Sequence, residues 1–328
     1  MSQADLLVNL IKTASSGNQQ AFHEVASQLI QRERAKGHRV LAERLDKSLQ
    51  GSGRSLPVVQ SINNNSQNKK ELFFEIIPER GLNDLTFSAS IKEQVNELVE
   101  EQHKADVLHA YNLKPRNKIL LAGAPGNGKT SLAEAIAYEL MVPLIVVRYD
   151  SLIGSYLGET AAKLNSLFEY ARGRRCVLFF DEFETLGKER ADAQETGEIK
   201  RVVSALLLQI DDLPDFVVTL AATNHPELLD KAVWRRFQLR LELPKPTREQ
   251  LSNFIEAISQ RTQVDFGYAN ETLAKKLLGQ SFAEVEEFCL GIVRRAVLTG
   301  QTKDAKQLTQ QKLQQWQQQL KPSQTQFS

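Results

Sequence analysis

Cysteine is scarce. Cys176 and Cys289 are the only two in 328 residues, far apart and without CxxC spacing or a His/Cys cluster. That excludes a disulfide framework and gives no sign of a zinc site; each thiol reads as a small buried hydrophobe. Net charge is almost absent: 41 Lys and Arg against 40 Asp and Glu leave +1. The broad basic footprint of many nucleic-acid binders is therefore missing, which argues against a nucleic-acid partner. No apolar run approaches the roughly 18 residues that span a bilayer. The start, Met1-Ser2-Gln3-Ala4-Asp5, lacks the basic stretch of a secretory signal. A cytoplasmic chain with no membrane span is the expectation. No His-Glu-x-x-His occurs, so a zinc protease of that type is excluded. What remains is ordinary for a soluble globular protein, 41% hydrophobic and 25% charged.

The length exceeds the usual single-domain size and fits one large core with smaller helical modules. Residues 1–50 carry apolar positions at helical spacing (Leu6, Leu7, Leu10 and Ile11, then Phe22, Val25, Ala26, Leu29 and Ile30), as in a supporting hairpin or a partner-binding module. Residues 51–71, with Gly51-Ser52-Gly53 and Asn63-Asn64-Asn65, have no periodicity and read as a flexible linker. From 72 to 246 the pattern changes. Apolar runs at Lys118–Ala122, Leu144–Arg148, Cys176–Phe180, Val217–Ala221 and Leu239–Leu243 alternate with amphipathic helices. Runs without polar alternation predict an α/β fold, a parallel sheet sandwiched by helices. Residues 247–328 read as a small α-helical lid, beginning with Leu251, Phe254, Ile255 and Ile258 on one helical face. The glutamine-rich end places Leu313, Trp316 and Leu320 on one face, which predicts a docked terminal helix.

The strongest motif is Gly123-Ala124-Pro125-Gly126-Asn127-Gly128-Lys129-Thr130, a complete G-x-x-x-x-G-K-S/T between a predicted strand and a predicted helix. Its glycines let the backbone curl so that successive N–H groups and the helix N-terminus face phosphate oxygens; Lys129 adds charge. Thr130 offers its hydroxyl to Mg2+, and Ser131 completes the nucleotide-contacting run. The second half is Cys176-Val177-Leu178-Phe179-Phe180-Asp181-Glu182, an apolar strand ending in twin acids. At such a strand end Asp181 can hold the Mg2+ shell while Glu182 activates water against the γ-phosphate. Alone, this run could be a buried strand ending at a solvated acidic turn. Beside the phosphate loop it reads as the catalytic half. No Asn-Lys-x-Asp follows the loop, so GTPase-type guanine selectivity is not expected.

The order of these motifs resembles the AAA+ ATPases, particularly the branch with spastin, katanin and the membrane-bound AAA proteases, from about Leu85 to Val297. The resemblance implies a homohexameric ring that uses ATP and Mg2+ and acts on a protein substrate. Tyr156-Leu157-Gly158 is similar to the pore-loop tripeptide whose aromatic grips polypeptide. Asn224, in Leu220-Ala221-Ala222-Thr223-Asn224, is similar to sensor 1, and Arg235 and Arg236 resemble the arginine fingers that reach a neighbour's nucleotide. One segment departs from the pattern. The family's late Gly-Ala-Asp takes an altered form here, Ser281-Phe282-Ala283-Glu284-Val285-Glu286-Glu287, so the resemblance leaves the adenine and sensor 2 contacts open. The expected function is ATP-driven remodelling or unfolding of protein. An ATP-gated switch for a partner effector, and a nucleic-acid motor, are the alternatives.

Overall fold

A computed structural model of the chain describes residues 19–39, 42–43, 72–148, 157–184 and 196–320. Outside them lie the apolar positions Leu6 to Ile11, the 51–71 linker and Tyr156. Six strands form one sheet: β1 Phe73–Ile76, β2 Lys118–Ala122, β3 Leu144–Val147, β4 Cys176–Phe180, β5 Val217–Thr223 and β6 Leu239–Glu242. The helices in chain order are α1 Gln19–Ala35, α2 Ala89–His103, α3 Ala105–Ala110, α4 Lys129–Glu139, α5 Leu157–Arg172 and α6 Thr196–Asp211. After them come α7 Lys231–Arg236, α8 Arg248–Thr262, α9 Asn270–Lys276, α10 Phe282–Thr299 and α11 Lys306–Leu320. Strand order is β1-β3-β4-β5-β2-β6. Every neighbouring pair is parallel except β1 with β3.

The five runs expected from sequence are the five parallel strands. Their side chains alternate between two buried layers rather than between core and water. Along β4, Cys176, Leu178 and Phe180 enter one cluster while Val177 and Phe179 enter the other. Leu120 of β2 joins the first cluster, and Ile119 and Leu121 the second. Helices cover both faces, so a strand here must be apolar on both sides. The sixth strand, β1, went unforeseen because it is short and lies at the edge. Phe73 is buried, Phe74 is exposed, and Glu75 accepts a hydrogen bond from Tyr170 Oη at 2.9 Å.

Beyond β6 the chain is helical, with a core of its own. Thr247 caps α8 in a reciprocal box with Gln250, and Leu251, Ile255 and Ile258 are buried. Ser281 and Glu284 form the same box on α10, which buries Val285, Phe288, Cys289, Ile292 and Ala296 and stops at left-handed Gly300. Helix α11 packs back, with Leu313 buried and the Trp316 ring 5.7 Å edge-on from Phe288. Burial pushes both thiols, Cys176 and Cys289, up to about 12, as expected of inert apolar fillers. Among the described residues no helix is long and apolar enough to cross a membrane.

Truncating Leu178, fully buried in the central strand, tests this layering. Leu178→Ala is expected to cost about 2–5 kcal/mol, read from the midpoint of chemical denaturation.

Candidate nucleotide-binding site

The site stands at the carboxyl ends of β2, β4 and β5, where an open parallel sheet places its ligands. Strand β2 stops at Ala122 and the chain turns through Gly123, Ala124, Pro125, Gly126, Asn127 and Gly128 into α4. The turn needs its glycines. Gly126 and Gly128 lie at φ 76° and 88°, in the left-handed region. A Cβ on Gly123 would meet Leu243 O at 2.4 Å, and one on Gly126 would meet Ser281 Oγ at 2.7 Å and Ala283 Cβ at 2.9 Å. Gly128 caps α4, so the first-turn amides, including those of Lys129, Thr130 and Ser131, have no helical partners and are available to an anion.

Lys129 is 6% exposed, and its ammonium donates to Gly123 O at 2.7 Å, Ala124 O at 3.1 Å and Asn224 Oδ1 at 2.6 Å. Burial lowers its pKa below the ordinary lysine value, against the opposing pull of the Asp181 and Glu184 carboxylates. Thr130 Oγ1 lies 3.4 Å from Asp181 Oδ2, and Asp181 Oδ1 accepts from Glu182 N at 2.9 Å. Glu182 is exposed and holds φ 49°, an uncommon conformation for a residue with a Cβ. The loop, the twin acids and Asn224 thus gather at one place, drawn from three different strands.

The remaining expected residues fall elsewhere or outside the description. Of the tripeptide, Tyr156 is outside, while the Leu157 and Gly158 backbones open α5. Arg235 and Arg236 end α7 and part company. Arg236 Nε donates to Asp211 Oδ2 at 2.7 Å, whose other oxygen takes Lys118 Nζ at 3.0 Å. Arg235 is exposed, with no hydrogen bond or ion pair among the described residues.

Two features escaped the sequence reading. Glu184, 2% exposed, accepts from Asn224 N at 3.2 Å. The start of α10 backs the phosphate loop directly: Ala283 N donates to Gly126 O at 3.1 Å. The departure Ser281-Phe282-Ala283-Glu284 therefore sits against the loop. The one available signal for it was the S-x-x-E capping box, which announces a helix start but not what that start touches.

The sequence that carries these motifs has counterparts in known proteins. Residues 119–245 match the model of the ATPase family associated with various cellular activities (AAA). An "uncharacterized AAA family ATPase" of Sinorhizobium fredii is 38% identical over 302 residues, which is 91% of this chain and 90% of that one. The chain belongs to the AAA ATPase family. A cell division cycle protein 48 homolog of Archaeoglobus fulgidus is 33% identical over 65% of this chain and 30% of its own length. Peroxisomal ATPase PEX6 of Candida glabrata is 34% identical over 57% of this chain and 19% of its own. The chain therefore spans under a third of those two larger relatives. These similarities establish the family without singling out the spastin and katanin branch. The AAA chain is an ATP-binding protein and an ATP hydrolase.

Gly126→Ala tests the cradle. Its Cβ would enter the space held by Ser281 and Ala283, so affinity for a fluorescent ATP analogue is expected to fall at least about tenfold by equilibrium titration. Gly300→Ala, also left-handed but with nothing within 4 Å, is expected to cost about 1 kcal/mol of stability and leave affinity intact.

Proposed function

We propose that this AAA ATPase couples ATP hydrolysis to the remodelling or unfolding of protein, working in the cytoplasm as a homohexameric ring. One observation carries the hydrolytic half: Lys129, Thr130, Asp181 and Asn224, from three strand ends, are joined by contacts of 2.6 and 3.4 Å. In this reading the Lys129 ammonium exchanges its carbonyl and Asn224 partners for β and γ phosphate oxygens, and the first-turn amides of α4 hold the rest of the phosphate chain.

Thr130 and Asp181 would hold Mg2+. They supply hard oxygen donors, and Mg2+ is usually held by one or two such groups together with substrate phosphates. Among the described residues no cluster of three or more His, Cys, Asp or Glu offers an alternative metal cage. When bound, the ion neutralises charge on the phosphates. Glu182 orients and deprotonates the attacking water, and Asn224 supplies a hydrogen bond to that water or to the γ-phosphate. Arg235, exposed at the end of α7, is the arginine we assign to a neighbour's nucleotide. Arg236 is held within its own chain by Asp211, and serves to aim α7. The remodelling half rests on the family, on relatives named for cell division and peroxisomal ATPases, and on the Tyr156-Leu157-Gly158 tripeptide.

The chemistry is tested by Glu182→Gln, which is expected to lower turnover on the order of 100-fold or more while ATP still binds. Turnover near that of the unaltered chain would remove the role given to Glu182. Tyr156→Ala separates pulling from switching. Loss of processing of a tagged unfolded protein with ATPase activity intact supports a gripping loop, whereas undiminished processing favours an ATP-gated switch.

A further inference from the structure

Strands β4 and β5 run side by side, with Phe180 opposite Ala221, and the segment beyond β4 is fastened twice to β5, once to its last residues and once to the residue that follows it. Phe183 N donates to Ala222 O at 2.8 Å, and Glu184 Oε1 accepts from Asn224 N at 3.2 Å. The second fastening is unusual. Glu184 is 2% exposed, and its buried Oε2 meets no hydrogen-bond partner among the described residues. Burying a carboxylate for one amide contact is an expensive way to join two loops, and a threonine or asparagine would do it with less desolvation. What distinguishes this contact is where it lies. The amide belongs to Asn224, whose side chain accepts from Lys129 Nζ at 2.6 Å. The carboxylate follows Glu182 by two residues, and Glu182 holds a left-handed φ of 49° that only an over-determined surrounding maintains.

We propose that Glu184 is the positioning residue of the hydrolytic site. Its buried carboxylate fixes the backbone of Asn224 and, through the same bond, holds the turn that presents Glu182. The proposal rests on the roles given above to Asn224 and Glu182. Glu184 lies behind both and is aimed at an amide, so it acts on the reaction through them. It binds the acid loop after β4 to the tip of β5, making the water-activating group and the sensor one unit whose spacing survives the movement of Lys129 toward phosphate.

A second role would also place a carboxylate here: Glu184 attracts Lys129 electrostatically and could serve only as a counter-charge. The two roles differ in what a glutamine would do. Glu184→Gln keeps an oxygen to accept from Asn224 N but removes the charge. A positioning role survives that exchange and a charge role does not.

The test uses the full chain, with steady-state ATP turnover and titration of a fluorescent ATP analogue measured on the same preparations and thermal melts confirming folding. Glu184→Ala is expected to lower kcat at least about tenfold with analogue affinity within about threefold, and Glu184→Gln to recover at least about a third of the original kcat. In an Asn224→Ala background, Glu184→Ala should add less than about threefold, because the two act as a unit. Glu184→Ala with undiminished kcat overturns the proposal, as does Glu184→Gln with kcat and affinity both down about tenfold. Should the alanine variant not fold, the glutamine variant decides alone. If Asn224→Ala by itself hydrolyses ATP at the full rate, the sensor assignment fails first, and the route through Asn224 falls with it.

Discussion

The ammonium of Lys129 is the tie on which this site depends. It is buried at the start of α4 and donates at once to the loop after β2 and to Asn224 just past β5, so a single positive charge ties two strand ends together. Burial alone would drive that charge out, which is why its pKa is lowered, and only carbonyl and carboxylate oxygens nearby keep the arrangement tenable. The parallel sheet supplies them. All its central strands point the same way, so their carboxyl ends collect loops of different origin at one edge. An antiparallel sheet would send alternate ends away and could not gather Lys129, Asp181 and Asn224.

The same economy applies to the C-terminal helices. The phosphate loop is touched from two places, the stretch that follows β6 and the start of α10. Near its root, Leu243 O accepts from Asn127 Nδ2 at 3.3 Å. Near the start of α10, Ala283 N reaches Gly126 O. The glycines that let the backbone wrap an anion are also the ones whose missing side chains leave room for Leu243 and Ser281. Substitution at these positions therefore has two physical consequences, one for the backbone conformation and one for the packing of Leu243 and the start of α10 against the loop.

Much of this was legible in the sequence because it is local. The strand, glycine loop and helix follow one another within about twenty residues, and the β4 run ends at its acids without interruption. Five strands announced themselves as unbroken apolar runs because both sheet faces are covered. Edge strand β1, four residues with one face open, carried no such run. Long-range pairings were illegible for a different reason. Nothing in Arg235-Arg236 says that one will find Asp211 and the other face water, and nothing in Glu184 says that it will be buried under Asn224, 40 residues on. Those outcomes belong to tertiary packing, which periodicity does not encode.

The bond between Ala283 and Gly126 has a mechanical corollary. A helix tied at its start to the loop that wraps the anion shifts only by carrying that loop with it or by giving up the bond. The placement of that helix start and the shape of the anion turn are therefore linked. The bond also sets the start of α10, the helix whose Phe288 meets Trp316 of the terminal helix, beside the turn that would hold the phosphates.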